Sequence, residues 1–388
     1  MSVESLAIYW HPDVLKHNPG KGCYEYGPSP LMSIDEPHPE TPERLINMKS
    51  ILEKGAIADR LVWCEGRHAS RDEIERFHTA AYVDSIIEAE KSGPTRIDGG
   101  GTVVDTGSVD AAFAAAGSGL AALEGVLSGQ RPRAYAMVRP PGHHAARSMG
   151  DGNCIFNNLS IAIEAAVARG VERIAVIDWD VHHGNGTQSG FYDRSDVLTI
   201  SMHMPLGSWN ANHPESGEVD EMGEGAGVGY NFNIPLAYGT GDVAYRAVMD
   251  ELVRPVVDEF SPQLIVVACG EDANQYDGNG RNLLSMRGFY DLGRIARELA
   301  DQHSEGKLLL MQEGGYALTY SAFCLYAVVE GVLGVEDPMP DEIAYKASIE
   351  RPEYPLSLIP VIRRQWLDAT EKSGVGRAFS GQVEASSA

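Results

Sequence analysis

From residue 130 onward the chain alternates between short apolar runs and stretches whose apolar positions have helical spacing. Apolar runs of strand length occur at Leu6–Trp10, Ala134–Val138, Ile174–Ile177, Val197–Met202, Leu264–Ala268 and Leu308–Met311. Helical spacing occurs at Asn158–Ala168, Val243–Phe260 and Met286–Gln302. Strands that alternate with helices are typical of a parallel sheet, so the pattern predicts an α/β fold with helices on both faces.

The N-terminal third is less regular than the rest. Residues 11–36 follow the first predicted strand and are rich in Pro, Gly and Tyr. A loop of this length inside a domain is usually functional or disordered. Helices are predicted around Leu45, Met48 and Ile51 and at Asp72–Phe77, Ala81–Lys91 and Ser108–Ser128, with a flexible connection at Gly99–Gly101. The Ser-, Gly- and Ala-rich residues 371–388 are expected to form a disordered tail.

Charged residues cluster where the third apolar run ends, between Val176 and Thr187. Asp178, Asp180 and His182 are spaced two residues apart, so an extended backbone places all three side chains on one face. Two carboxylates and an imidazole at the end of a buried strand are costly unless something positive binds them. A metal ion is the simplest candidate, and a hydrogen-bonded turn that caps the next helix is the alternative.

Other strand ends carry polar side chains as well. They are His143 and His144 after the second run, Glu271 and Asp272 after the fifth, and Tyr316 after the sixth. The histidine pair is open to three interpretations: a metal-binding pair, surface residues or an acid–base pair. The tyrosine either turns into a cleft or packs in the core. Ligands of parallel sheets bind beyond the carboxyl ends of the strands, where all of these groups are predicted to lie.

A catalytic metal site keeps about three protein ligands and leaves a position open for water and substrate. Asp180, His182 and Asp272 supply that number. Because their donors are oxygen and imidazole with no thiolate, zinc is the expected metal, with iron(II) or cobalt as alternatives. One histidine of the neighbouring pair can then take a proton from the attacking water, and the other needs orientation by a carboxylate or an amide. Tyr316 can donate a hydrogen bond to a developing oxyanion.

The 388-residue chain carries 31 basic and 55 acidic residues, which gives a formal net charge of −24. This charge opposes binding to phosphate backbones and anionic lipid, so we expect neither nucleic acid nor a membrane as a partner. The five cysteines are scattered, and thiols in a reducing cytoplasm fit them better than a disulfide framework. The N-terminus lacks the basic segment of a signal peptide.

Four motifs occur in a characteristic order: Arg-Pro-Pro-Gly-His-His, Asp-Trp-Asp-Val-His-His-Gly-Asn-Gly-Thr, Gly-x-Asp-Ala and Glu-Gly-Gly-Tyr. Together they resemble the zinc-dependent histone deacetylase superfamily, which includes acetylpolyamine amidohydrolases and bacterial deacetylase-like amidohydrolases. The resemblance implies an arginase-like α/β fold with a central parallel sheet of eight strands. It implies a single catalytic domain over residues 1–370, with residues 11–36 as a loop at the rim of the active site. Asn185, where class I members usually have Asp, makes the chain similar to class II or bacterial members.

The resemblance also implies roles for individual residues. Asp180, His182 and Asp272 match the zinc ligands. The catalytic set consists of His144 as general base with Asn185 as its orienting partner, His143 paired with Asp178, and Tyr316 as the residue that polarises the substrate carbonyl. A structural potassium site matches Asp178, Asp180, His182, Ser201 and Met202. A second potassium site would involve Phe191, Val197 and Tyr230, next to Arg194 in place of a smaller residue.

Departures from the family pattern concern the substrate-binding residues. The family lines its acyl-lysine tunnel with two aromatic rings, and Asn153 and His213 stand at these positions here. Glu271 replaces an apolar residue before the last metal ligand, and a rim aspartate of the family aligns with Gly101, with Asp98 nearby. Gly152 and Gly314 complete the expected substrate-binding set.

We therefore expect a zinc-dependent amidohydrolase that acts on a small N-acyl amine. Deacetylation of acetylpolyamines, favoured by the acidic composition and by Glu271, and deacetylation of acetyl-lysine in proteins are alternatives within the enzyme class. A binding module that has lost catalysis is the alternative from another class. The expected cofactors are one zinc ion and one or two potassium ions, and we expect a cytoplasmic homo-oligomer, a dimer or tetramer.

Overall fold

The computed structural model describes residues 5–98, 101–205, 216–345 and 350–373. Within these ranges eight strands form one central sheet. Their bounds are β1 Leu6–Trp10, β4 Leu61–Glu65, β7 Arg133–Ala136, β8 Ile174–Asp178, β9 Val197–His203, β10 Asn231–Pro235, β11 Leu264–Cys269 and β12 Leu308–Gln312. Two short antiparallel ladders are separate from it, and they pair β2 Lys21–Gly22 with β3 Glu36–Pro37, and β5 Thr95–Arg96 with β6 Val103–Val104.

The strand order β10-β9-β8-β11-β12-β7-β1-β4 places the strands that precede the polar clusters next to one another. β8, β11, β12 and β7 are consecutive neighbours in the middle of the sheet, and each pair is parallel. Their carboxyl ends therefore meet at the same end of the sheet. The predicted parallel sheet and its eight strands are confirmed.

The sequence pattern misses two strands, β4 and β10, which form the two edges of the sheet. β10 reads Asn-Phe-Asn-Ile-Pro, and β4 is largely half-buried. An edge strand has no neighbour on one side, so it tolerates the polar residues and Pro that a central strand excludes. This explains why β10 is missed, whereas β4 reads Leu-Val-Trp-Cys-Glu and is a short apolar run that the sequence prediction overlooks.

Within the described ranges eleven α-helices cover the sheet. They are α1 Glu43–Lys54, α2 Arg71–Ile74, α3 Ala80–Lys91, α4 Ser108–Leu127, α5 Asn158–Val167, α6 Asn185–Phe191, α7 Asp242–Val248, α8 Arg254–Phe260, α9 Met286–His303, α10 Tyr320–Leu333 and α11 Glu353–Ser373. Helix α4 packs against α5 and against β1, β7 and β12. Helix α9 packs against α10 and against β11 and β12, and α1 lies beside α10. These two helical layers cover the two faces of the sheet, as predicted.

Two segments differ from the sequence prediction. One helix is predicted over Val243–Phe260, whereas the structure has α7, a π-helical turn at Met249–Val253 and then α8. Pro255 accounts for the irregular turn because its nitrogen carries no hydrogen to donate to the preceding turn. Helix α11 continues to Ser373, three residues into the predicted tail, and residues 374–388 lie outside the described ranges.

Helix α4 is long and apolar enough to cross a membrane by length and composition alone. However, 67% of its apolar window is buried inside the protein. Two of its glycines lie against neighbouring elements, since a Cβ atom at Gly119 would meet Met311 and one at Gly125 would meet Tyr9. The apolar composition of α4 is therefore explained by its position between strands and α5. The expected lack of a membrane partner stays a prediction.

A buried ion-pair cluster ties the segment before α1 to the sheet. The Glu40 carboxylate accepts hydrogen bonds from Arg139 (Nη2–Oε2 2.6 Å) and from Arg44 (Nη1–Oε1 2.9 Å), and all three side chains are almost completely buried. Burial acts to raise the pKa of Glu40, but Arg139, His17 and Arg44 outweigh it and lower the pKa to about 2. Removal of the carboxylate would leave two guanidinium groups buried without a counter-charge.

Replacing Glu40 with Ala is expected to lower the free energy of unfolding by about 3–5 kcal/mol, because a buried charge then lacks its partner. Urea denaturation followed by circular dichroism measures this change. The depressed pKa means that the stabilisation is fully present above about pH 4.5 and is lost as the pH falls towards 2. Glu53→Ala, which removes the partly exposed pair with Lys49, is the control and should cost less than about 1 kcal/mol. An equal loss of unfolding free energy in both variants would contradict the role of Glu40 as a buried counter-charge.

Candidate active site

Loops that follow four adjacent strands bring their polar side chains together at one end of the sheet. These loops and strand ends contribute Asp178, Asp180 and His182 from β8, Asp272 after β11, His143 and His144 after β7, and Tyr316 after β12. All of them except Tyr316 are more than nine-tenths buried. Parallel neighbours end at the same side of a sheet, and this is why residues far apart in sequence meet here.

Asp180, His182 and Asp272 form a buried cluster whose candidate ligand atoms lie within 4.8 Å of one another. The Nδ1 atom of His182 is 3.0 Å from a carboxylate oxygen of each aspartate. Its other ring nitrogen, Nε2, lies 3.3 Å from the main-chain oxygen of Asn279, to which it can only donate. This hydrogen bond leaves the lone pair of Nδ1 directed at the space between the carboxylates.

The surroundings of this cluster fit a bound cation. The Oδ2 atom of Asp272 is buried and accepts no hydrogen bond from any described residue. Cβ atoms at Gly270 and Gly314 would lie 2.2 and 2.1 Å from oxygens of Asp180 and Asp272, so glycine at both positions keeps the space around the oxygens open. Burial opposes a charge on His182, yet the two carboxylates raise its pKa to about 10. The cluster therefore favours a positive charge, and its oxygen and imidazole donors suit zinc.

The two adjacent histidines have opposite electrostatic environments. His143 Nδ1 is 2.9 Å from Asp178 Oδ2, and although burial opposes its charge, Asp178 and Asp180 raise its pKa well above the usual value. Burial, together with the charge of His143, lowers the pKa of His144 to about 3. At neutral pH this arrangement favours a protonated His143 beside a neutral His144. Two groups whose pKa values are pushed apart in this way are suited to act as an acid and a base.

A residue that the sequence analysis missed, Asp151, fixes the state of His144. Asn185 Oδ1 lies 2.8 Å from His144 Nδ1, and Asn185 Nδ2 donates to Asp151 Oδ2 (3.2 Å). A carboxylate only accepts, so the amide nitrogen of Asn185 must face Asp151 and its oxygen must face His144. His144 then carries its proton on Nδ1 and keeps a lone pair on Nε2. Asp151 stands directly before Gly152, but no spacing rule identifies it.

The main chain around Tyr316 is held on two sides. The Arg44 guanidinium lies 4.5 Å from the centroid of the tyrosine ring and donates to the main-chain oxygen of Gly315 (Nε–O 2.6 Å). Asp277 accepts from the main-chain nitrogens of Tyr316 (2.6 Å) and Ala317 (3.1 Å). Burial raises the pKa of Tyr316 well above its usual value, so the phenol remains a hydrogen-bond donor. The alternative that this tyrosine belongs to the apolar core does not fit these contacts.

Gly152 and Asn153, called the wall residues below, belong to the loop that lies against His144. A Cβ atom at Gly152 (φ 49°) would lie 2.3 Å from the His144 ring, so only glycine fits there. Asn153 also has a positive φ (69°), which asparagine tolerates. Its main-chain nitrogen donates to Thr102 Oγ1 (2.8 Å). Asp98 accepts from the Thr102 nitrogen (3.1 Å) and so secures this loop. Asn153 therefore carries a carboxamide at the position where the family pattern has a tunnel-lining aromatic ring.

Two more of the expected substrate-binding residues, Glu271 and Gly314, lie among the described residues. Glu271 is fully buried, accepts from Gln312 Nε2 (2.6 Å) and from the Cys269 thiol (3.3 Å), and burial raises its pKa well above the usual value. This corrects the expectation that it faces the substrate, because successive side chains alternate and Asp272 takes the site-facing position. Gly314 donates to Asp180 Oδ2 (2.8 Å) and so lines the metal cluster. His213 lies outside the described residues.

The residues expected to bind a structural potassium ion are adjacent. Asp178 pairs with Ser201 across β8 and β9, and Met202 follows Ser201 in the strand. The Asp178 side chain accepts from the Asp180 nitrogen (3.1 Å), and Ser201 Oγ lies 3.0 Å from His203 Nδ1. Potassium binding stays a prediction.

At the expected second potassium site, the Arg194 guanidinium lies 5.2 Å from the Phe191 ring centroid, beside the start of β9. Arg194 also forms ion pairs with Asp196 and Glu164. These two carboxylates balance the charge of Arg194, and the second potassium site also stays a prediction.

The chain is similar to known proteins in family, sequence and structure. Residues 38–332 match the histone deacetylase domain. The chain is 44% identical to Histone deacetylase 8 of Arabidopsis thaliana over 348 residues, which is 89% of this chain and 92% of the relative. It is 39% identical to the histone deacetylase-like amidohydrolase of Pseudomonas aeruginosa over 316 residues (81% and 82%).

A probable deacetylase of Archaeoglobus fulgidus is also 39% identical, over 332 residues (84% of this chain and 86% of the relative). The crystal structure of the HDA15 HD domain matches with a TM-score of 0.79 at 28% identity, and the match covers 96% of this chain and 98% of that structure. The named sequence relatives come from a plant, a bacterium and an archaeon, so the expected bacterial source stays a prediction.

Removing one metal ligand should abolish metal binding. Asp180→Ala and Asp272→Ala each leave two of the three ligands, so we expect metal content close to zero in both variants. Elemental analysis of the purified proteins measures it. Glu271→Gln is the matched control, since Glu271 is adjacent in sequence and buried but faces away from the cluster, and it should keep its metal. Full metal occupancy in both alanine variants would refute the ligand assignment.

Proposed function

The chain belongs to the histone deacetylase family, and from this premise we propose that it is a zinc-dependent deacylase of a small N-acyl amine. The family supplies the reaction class, hydrolysis of an amide bond. The assembled metal cluster, histidine pair and tyrosine support an active enzyme over a binding module that has lost catalysis. The observation that carries the finer proposal is that Asn153, which follows the glycine lying against the His144 ring, carries a carboxamide where the family pattern has an aromatic ring.

Asp180, His182 and Asp272 would hold the zinc ion. When bound, zinc polarises the carbonyl of the scissile amide and lowers the pKa of the attacking water. The two buried carboxylates compensate its charge, and Asn279 fixes the ring of His182 through Nε2. A single potassium ion near Asp178 and Ser201 is part of the proposal, and it would rigidify the strand end that carries these ligands.

His144 acts as the general base in the proposed reaction. Its Nε2 lone pair takes a proton from the attacking water, because Nδ1–H is committed to Asn185. Asp151 keeps the Asn185 amide in the required orientation. The protonated His144 then donates this proton to the leaving amine and returns to its neutral state, while His143 stays protonated beside Asp178. Each proton therefore has a defined donor or acceptor atom.

Tyr316 stabilises the charge that develops on the carbonyl oxygen. Its phenol remains protonated because burial raises its pKa, so it donates a hydrogen bond to the oxyanion. Arg44 and Asp277 hold the main chain on both sides of the tyrosine and thereby limit the movement of the hydroxyl group. A donor that is already in place needs no reorganisation when the charge appears.

A second candidate function is deacetylation of acetyl-lysine in proteins. The relative from Arabidopsis thaliana named as a histone deacetylase, 44% identical to this chain, favours it. Two aromatic faces would bury the methylene stem of a lysine side chain, and burial of about three methylenes is worth roughly 2 kcal/mol. A carboxamide cannot supply this apolar contact and also needs a hydrogen-bond partner once it is desolvated. The polar wall therefore favours the small amide.

The two functions are distinguished by kcat/KM for acetyl-lysine peptides and for compact polar N-acyl amines. Asn153→Phe restores an aromatic wall, and we expect it to increase the preference for the lysine substrates about tenfold relative to wild type. Asn153→Ala is the control, because it removes the carboxamide without adding a ring. A wild-type enzyme that deacetylates peptides as well as any small amide would contradict the small-substrate proposal.

Replacing Tyr316 with Phe should preserve the metal content and lower kcat by about 100- to 1,000-fold, because one donor to the oxyanion is lost. Two measurements test this prediction. Steady-state kinetics with the substrate that wild type hydrolyses fastest give kcat, and elemental analysis gives the metal content. Tyr320→Phe is a control for the loss of a hydroxyl group in the neighbouring helix. Near-normal turnover of Tyr316→Phe would show that Tyr316 does not have this role.

A further inference from the structure

Two histidines and an aspartate meet at the carboxyl ends of β1 and β4, which β12 and β7 separate from the strands of the metal cluster. His11 directly follows β1, Asp13 lies in the 3₁₀ turn Pro12–Leu15, and His68 belongs to the loop between β4 and α2. One potential ligand atom from each side chain lies within 4.8 Å of the other two. The three side chains are therefore close enough to bind one ion.

The sheet brings these residues together. β1 and β4 are parallel neighbours, and Trp10 pairs with Glu65 where the two strands end. The Gly66 nitrogen then donates to the Trp10 oxygen (2.8 Å), so the pairing continues to the residue before His11. A Cβ atom at Gly66 would lie 3.1 Å from the Cβ atom of His11, which is closer than most side chains approach. Glycine at this position lets the two loops lie side by side.

The main chain at His68 is held against α4. The Ala69 nitrogen donates to the main-chain oxygen of Phe113 (2.8 Å). A Cβ atom at Gly117 would lie 2.1 Å from the Arg67 oxygen and 2.4 Å from the His68 carbonyl carbon, so the loop contacts the helix backbone directly. A main chain that is already fixed lowers the entropy cost of presenting an imidazole to an ion.

The side chains of this cluster already face one another. His68 Nε2 is 2.9 Å from Asp13 Oδ2, and the His11 and His68 rings lie edge to face with centroids 4.8 Å apart. His11 Nδ1 accepts a long hydrogen bond from the Asp13 nitrogen (3.2 Å). Coordination by His11 would use this lone pair or move the ring proton to Nδ1, so this bond is given up in either case. His11 and Asp13 are half-buried and His68 is exposed, so an ion can reach them from solvent.

Lys16 competes with an ion for the Asp13 carboxylate. Its Nζ atom is 3.0 Å from Asp13 Oδ2 and 2.7 Å from Asp110 Oδ2. All three side chains are partly exposed, and ion pairs of this kind are weak. Asp110 can therefore keep the ammonium group of Lys16 when an ion binds Asp13.

We propose that His11, Asp13 and His68 form a second metal site, which binds a zinc ion and joins the 3₁₀ turn after β1 to the loop after β4. Two imidazoles and one carboxylate suit zinc and similar divalent transition-metal ions, whereas magnesium and calcium prefer oxygen ligands. Three protein ligands leave a position for water. The site shares no residue with the proposed catalytic centre, so the inference does not depend on the deacylase function.

An ion at this place would act on the turn that follows β1. The inner side of the turn is already bound, because Arg139 Nη1 donates to the main-chain oxygens of Val14 (3.0 Å) and His17 (2.6 Å). Coordination by His11 and Asp13 would hold the outer side of the same turn against the neighbouring loop. The ion should therefore make this edge of the protein more resistant to local unfolding.

The test titrates zinc chloride into the metal-loaded wild-type protein and measures binding by calorimetry and equilibrium dialysis. We expect one further zinc ion per chain. His68→Ala and His11→Gln should each weaken its binding by about tenfold or more, because one of three ligands is lost. Lys16→Gln should bind the ion about two- to fivefold more tightly, since an exposed competing charge is removed. An excess of magnesium chloride should not displace the ion.

His303→Ala is the matched control. His303 Nε2 also lies close to an aspartate oxygen (2.7 Å), but it belongs to no three-ligand cluster among the described residues. This variant should bind the second ion as tightly as wild type. Asp180→Ala should bind it as well, because the two sites are separate.

Hydrogen–deuterium exchange gives a second measurement that does not depend on turnover. Added zinc should slow exchange at residues 11–16 and 66–70 of wild type and leave these segments of His68→Ala unchanged. Uptake of no further zinc by wild type, or equal affinity of wild type and His68→Ala, would refute the site. Displacement by magnesium, or protection at a different part of the chain, would show that other groups bind the ion. A failure of the deacylase proposal would appear in turnover and leave this binding unchanged.

Discussion

Buried carboxylates at the ends of neighbouring parallel strands are the feature on which the rest of the structure depends. Asp180 and Asp272 are almost completely shielded from water and lie beside the same imidazole. Burial and the charge of Asp180 raise the pKa of Asp272 to about 7, which shows how unfavourable two negative charges are at this place. A bound cation removes this penalty, and the glycines at 270 and 314 leave space for it.

The residues around this cluster serve to hold a few polar groups in one orientation. Asp151 acts on His144 through Asn185, and Asp277 holds the main chain at Tyr316. Arg44 connects the tyrosine loop to Glu40, which also binds Arg139 in front of the histidine loop. Because each of these buried groups depends on its partners, a change in one of them would disturb the geometry of several catalytic atoms.

Chemistry and selectivity come from different parts of the fold. The metal ligands and the histidine pair follow directly from strand ends in the middle of the sheet, where packing restricts movement. The wall residues Gly152 and Asn153, by contrast, belong to a loop that Thr102 and Asp98 secure. Loops tolerate substitution more readily than strand ends. A family can therefore keep one reaction while its members differ in the amine that they accept.

The sequence by itself determined the inner strands, because six consecutive neighbours in a parallel sheet are buried on both faces and read as apolar runs. It also predicted the candidate metal ligands and catalytic groups, since their spacing and motifs are local. It did not reveal the edge strand β10, whose buried Asn231 and Asn233 interrupt the apolar run and bond to Gln188. Nor did it place the side chains of Glu271 and Asp151. Their positions depend on contacts between segments far apart in sequence, and only the tertiary structure decides such contacts.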